Sequence, residues 1–263
     1  MSAELKVLVN ALGNPEIPTM VWQAQYDDDG ASLKRLGYAR PGDAVRIQDL
    51  LCYCDDLKYV EELQEGLLLR VLPHLLHAWR AQILKGRHGQ ITEPLWAGLA
   101  KRREFIAKAL GPEGTRAAAK YMADALLERM AMEESLEQRG AGASAYEWSA
   151  EFVSFGNAWD DVDLLLQPWR AMERTGHALC AVQYLASLIF TGAENPVFGR
   201  WTADEGGGPL TLWQNASDGY EERWSDPAVE RLRALLAGGG AAKWLKDAAA
   251  KLKEHPGHAV AVK

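Results

Sequence analysis

The sequence predicts a predominantly α-helical fold, an irregular multi-helix bundle with a small β-hairpin or extended loop near 195–225. Three observations point there. Apolar residues recur at spacings of three and four through most of the chain, the signature of one helix face. An aromatic ridge, Trp148, Phe152, Phe155, Trp159, Val162 and Leu166, keeps the spacing 4, 3, 4, 3, 4. Helix-start and helix-stop residues bracket these stretches, among them the capping box Ser144-x-x-Glu147.

Residues 1–42 read as an N-terminal arm. Leu5 to Leu12 is a short apolar run compatible with strand or helix, broken by Gly13-Asn14-Pro15 and Pro18. Asp27 to Gly30 and Arg40 to Asp43 read as turns. From Asp43 the pattern becomes helical. Val60, Leu63, Leu67 and Val71 recur at spacings of three and four, and Pro73 then kinks the helix or opens a new one at its first turn. Leu75 or Leu76, Trp79 and Ile83 continue the stripe until Gly86.

Thr92 is placed to cap a helix running through Leu110. Gly111-Pro112-Glu113-Gly114 separates it from a long helix reaching about Arg139, with Ala119, Met122, Leu126 and Met130 on one face and Gly140-Ala141-Gly142 at its close. The aromatic ridge predicts a single helix from Ser144 that ends before Pro168, with a kink or a close crossing at Gly156. The next helix spans Trp169 to about Phe190, with an interruption at Gly176. In 191–225, Pro209 to Trp213 and Tyr220 to Trp224 read as two short strands. Helices from about Pro227 and from Ala241 to Lys253 finish a single domain over 43–254, and 255–263 reads as a flexible tail.

Composition narrows the function classes. With 263 residues, 48% of them hydrophobic, the chain can bury a substantial core. A net charge of −7 argues against nucleic acid or an anionic membrane as the main ligand, since both need local positive charge. The three cysteines, Cys52, Cys54 and Cys180, form no disulfide framework, which points to a reducing cytoplasm. The first residues show no secretory signal, and no apolar stretch is long enough to span a bilayer.

The candidate chemistry is sparse. Cys52-x-Cys54, His74-x-x-His77 and His177-x-x-Cys180 supply metal-ligand types. Their spacings match neither a zinc Cys-x-x-Cys nor a His-Glu-x-x-His site, so they also read as packed side chains. Cys180 one turn after His177 has the form of a thiol beside a base, but inside an apolar helix. Gly206-Gly207-Gly208-Pro209 lacks the Lys and Ser/Thr of a phosphate loop, and no Gly-x-Ser-x-Gly elbow occurs.

The aromatic helix carries a more suggestive feature. Glu147, Glu151, Ser154 and Asp161 share a face on a helical projection, with Asp160 and Asp163 nearby. Such a face is a solvated helix surface or an electrostatic docking face. Of the ten tryptophans, Trp79, Trp148, Trp159 and Trp169 sit at core spacing, whereas Trp201, Trp213 and Trp224 fall in the glycine-rich segment. Those three either plug the core or line a recognition site.

These readings favour a cytoplasmic protein-interaction module without catalysis or cofactor. Its acidic body would bind a basic protein partner, not nucleic acid or membrane, as an immunity-type inhibitor does. Glu147, Glu151, Asp160, Asp161, Asp163, Trp201, Trp213 and Trp224 would form the contact. The alternative is a metal- or small-molecule-binding helical enzyme built on His74, His77 and His177, with Cys180 as a further ligand.

Overall fold

The computed structural model describes residues 2–13, 31–40, 43, 45–51, 53, 65–87, 91–134, 145–189 and 240–253. It is all-α, with nine helices and no strand among the described residues. The expected hairpin and the helix near Pro227 lie outside them. The chain forms two compact units, Met1–Ala125 and Leu126–Lys263. Their boundary falls inside the stretch 43–254 that the sequence reads as one domain.

In the first unit, α1 (Ala3–Leu12) settles the ambiguous opening run as helix. Ser2 is its N-cap, with Oγ accepting the Leu5 N–H at 3.2 Å, which satisfies one of the orphan donors of the first turn. Gly13 ends it at φ 67°. Helix α2 (Ala31–Tyr38) follows. Its Arg35 makes a two-pronged ion pair with Asp49, Nε to Oδ2 at 2.8 Å and Nη2 to Oδ1 at 2.7 Å, while Asp49 is only 2% exposed.

Helix α3 (Glu65–Leu84) continues across Pro73 as one element. Leu68, Val71, Leu72, Leu75, Leu76, Trp79 and Ile83 are all buried, so packing outweighs the one backbone hydrogen bond that proline removes. The helix closes in a Schellman motif. Gly86 N–H reaches the Ile83 carbonyl, Arg87 N–H reaches that of Gln82, and Gly86 takes φ 71°.

Thr92 does not cap α4 (Thr92–Lys101). Ile91 occupies the N-cap position in a helical conformation, and the Thr92 hydroxyl is buried without a partner. The helix expected to reach Leu110 breaks at Arg102 (φ −108°, ψ 14°). Helix α5 (Arg103–Ala131) then carries a sharp kink at Gly111 (φ 63°, ψ 176°), where the sequence places a break before Pro112. Only glycine enters that conformation at little cost. The helix ends at Ala131, not near Arg139.

The second unit holds α6 (Ala145–Ala158), α7 (Asp163–Ala171), α8 (Thr175–Ile189) and α9 (Gly240–Lys253). Helix α8 is central, packed along α9 and α6 and touched by α7. Residues 176–185 of α8 are buried on every side, the pattern of a helix enclosed by others.

Three boundaries differ from expectation here. The ridge helix stops at Ala158, and α7 starts at Asp163 after four intervening residues. Asp160, Asp161 and Asp163 favour turns and helix starts over helix interiors, which accounts for the break. All six ridge residues are nonetheless buried. Helix α7 passes through Pro168 and ends at Met172, which adopts a left-handed conformation (φ 50°, ψ 46°). Burial of Leu165, Leu166 and Trp169 holds that short helix together across the proline.

Gly176 interrupts nothing. It lies in the first turn of α8, where a Cβ would sit 2.2 Å from the Met130 carbonyl oxygen and 2.9 Å from the Ala131 backbone. The first turn of α8 therefore crosses the end of α5 backbone to backbone. No other residue type allows that approach.

Candidate functional site

Helices α6 to α9 enclose an aromatic cluster centred on Trp169. Its indole ring meets Phe152 at 5.4 Å and Trp244 at 4.8 Å, both edge to face, and Tyr184 at 5.7 Å. Phe152 and Tyr184 complete the group at 6.0 Å. Edge-to-face contacts add stabilisation beyond the area buried. Trp169 Nε1 also donates to the His177 backbone carbonyl at 3.0 Å, which ties α7 to the start of α8.

Trp148 begins the ridge beneath the Arg129 guanidinium, 5.1 Å from its ring centroid. Arg129 in turn pairs with Glu133 one turn along and donates to Met132 Sδ at 3.8 Å. Nearby Cys180 is fully buried, and burial pushes its thiol well above the usual range, with Glu133 adding to the rise and Arg129 opposing it. A thiol so placed stays protonated and is a poor nucleophile.

The acidic face expected on the ridge helix is smaller than the projection suggests. Glu151 is 5% exposed and belongs to the packed interior, so it is withdrawn from any docking surface. The projection assumed one helix across residues that the break at 159–162 separates. Asp160 is exposed, and Asp161 and Asp163 are half-buried, all at the corner between α6 and α7. They sit at the positive end of α7, where carboxylates are stabilised. Trp159, beside them, is buried. Glu147 falls in the first turn of α6 with its side chain outside the described set, and Trp201, Trp213 and Trp224 lie outside the described residues.

The four candidate metal ligands fall in different units. His74 and His77 are one turn apart in α3, whereas His177 and Cys180 are one turn apart in α8. Burial lowers the basicity of His74, against opposing pulls from the Ala39 backbone and Asp43. His77 Nδ1 lies 3.4 Å from the Tyr121 hydroxyl, and the Arg80 guanidinium stacks on the Tyr121 ring at 5.1 Å. His177 Nε2 is 2.9 Å from the Leu127 carbonyl oxygen. Among the described residues, no group of three or more His, Cys, Asp or Glu side chains is placed to hold a metal ion. Among them, too, no helix is long and apolar enough to cross a membrane.

The sequence reading missed the Arg129–Glu133 pair over Trp148, although its i,i+4 spacing is a visible signal. Trp244 and Trp96 were also missed. Trp96 packs edge to face on Trp79 at 5.4 Å in the first unit. Comparison with protein-family models, curated proteins and solved structures finds no significant match.

Proposed function

We propose that this chain is a cytoplasmic protein-interaction module whose acidic corner at Asp160, Asp161 and Asp163 docks a basic protein partner, in the manner of an immunity-type inhibitor. The observation that carries the reading is the position of that corner. Three carboxylates within four residues stand at a short turn into α7, with Trp159 before them and Val162 among them packed into the interior. Partly exposed charge on a packed apolar base loses little entropy on binding, which favours electrostatic recognition. The net charge of −7 supports attraction of a basic partner at long range.

The test is capture of partners from source cells at low and moderate salt, with the Asp160→Lys/Asp161→Lys variant alongside. A basic protein retained by the native chain, released by salt and lost with the charge-reversed variant is the expected result. Retention unaffected by the reversal would refute the assignment of the corner. Failure to recover any basic protein at low salt would refute the reading itself.

A further inference from the structure

We propose that His177 is an acid-sensitive latch whose neutral ring pins the first turn of α8 to the end of α5, and which a second ring proton releases. The inference is independent of the docking function.

The geometry comes first. His177 is 7% exposed. Its Nε2 lies 2.9 Å from the Leu127 carbonyl oxygen on α5. A carbonyl only accepts, so Nε2 carries the proton and Nδ1 is bare. Nδ1 is itself buried and has no hydrogen-bond partner. The residue's own carbonyl accepts from Trp169 Nε1 on α7. One residue earlier, Gly176 lets the α8 backbone approach Met130 and Ala131. Three elements thus meet around one residue, of which only α5 engages the ring, and the neutral tautomer uses one ring nitrogen only.

A second proton would create an N–H at Nδ1 with no acceptor in reach, inside an apolar junction. A buried charge with an unsatisfied donor is costly. The charged groups around the ring do not reverse this. Glu173, before α8, favours the charged form, but Arg174 beside it and Lys251 on α9 oppose it. From α5 the group that meets the ring is the Leu127 carbonyl, whose hydrogen bond favours the charged form without outweighing burial, and from α7 it is the Trp169 indole, which meets the backbone. Burial is the largest influence and holds the imidazole below its usual basicity of 6.5.

The sign follows from linkage. The open junction binds a proton that the closed one rejects, so closure weakens as pH falls below about 6.5. Between that value and the folded basicity, the opening equilibrium rises about tenfold per pH unit for a single proton.

The experiment is hydrogen exchange on the full chain from pH 7.5 to 4.5, corrected for intrinsic rates. It follows peptides covering Leu126–Ala131 and Thr175–Cys180, in the native chain and in His177→Gln. Glutamine keeps a donor for Leu127 but cannot titrate. The expected result is opening that grows as pH falls below 6.5 in the native peptides, by no more than about tenfold per pH unit, and stays flat in His177→Gln. Equal pH dependence in the two proteins overturns the proposal. A His74→Gln variant must leave the slope in these peptides unchanged, because His74 lies in the other unit; loss of the slope there also counts against the latch. Should His177→Gln fail to fold, the ring resonances of His177 in the native chain decide. Reversible titration at or above 6.5 with protection intact refutes the idea, and titration coupled to loss of protection supports it.

Discussion

Substituting Gly176 by alanine tests the backbone crossing on which the second unit rests. The added Cβ would lie 2.2 Å from the Met130 carbonyl oxygen. Ordinary carbon–oxygen contacts begin near 3.3 Å, so α8 and the end of α5 must separate by about 1 Å. Both atoms at the clash are backbone or fixed to it, so no side chain can swing aside. Overpacking of this kind costs about 1–3 kcal/mol. The same shift stretches the 2.9 Å contact from His177 Nε2 to Leu127 past bonding range, for a further loss of about 1 kcal/mol. Alanine in place of glycine returns about 1 kcal/mol through helix propensity. The net expectation is destabilisation by about 1–3 kcal/mol, read by urea unfolding with tryptophan fluorescence. Gly66→Ala is the control, because nothing lies within 4 Å of its Cβ and the site is exposed in α3. It should be neutral or gain up to about 1 kcal/mol. If Gly176→Ala proves as stable as Gly66→Ala, the close crossing is wrong.

Three further outcomes follow. Ser2→Ala removes the cap of α1 and should cost about 1 kcal/mol, seen as faster amide exchange at Leu5 while α3 keeps its protection. Asp49→Ala removes both prongs of the ion pair with Arg35, whose side chain is 37% exposed. That exposure lets water reach the guanidinium, so the cost should be about 1–3 kcal/mol, below the figure for a fully buried pair, and Asp49→Asn should recover part of it in a thermal melt. Cys180, with Cys52 and Cys54 replaced by serine, should resist thiol reagents in the folded state and react only as fast as the second unit opens; immediate labelling at neutral pH would contradict its burial.

What the sequence made legible is which side of each segment is apolar. Spacing alone located the ridge, and every member of it is buried although two helices, not one, carry it. Period counting tolerates such a break because four irregular residues cost the stripe little phase. The same tolerance misled the acidic face. A projection carried through the break at 159–162 put Glu151 beside Asp161, whereas the chain buries the first and exposes the corner around the second. Local stop signals failed for a related reason. Pro168 and Pro73 break helices in isolation, but Trp169 and the leucines of α3 anchor those segments by contacts that local sequence does not record. Gly176 looked like an interruption because glycine weakens a lone helix, and its actual reason lies 46 residues away at Met130.

The same distance separates what could and could not be read of His177. As a sequence feature it is a histidine one turn before a cysteine, and its ligand-like appearance invites a metal. Its partner is a backbone carbonyl 50 residues earlier, and a backbone group carries no sequence signature at all. A carbonyl can satisfy only a proton donor. Once Leu127 is the partner, the tautomer and the bare Nδ1 follow together, and burial, against the pull of that carbonyl, sets the direction of the acid response. The physical content of the residue therefore lies in which nitrogen is occupied and which is not, a distinction that the crossing permitted by Gly176 creates.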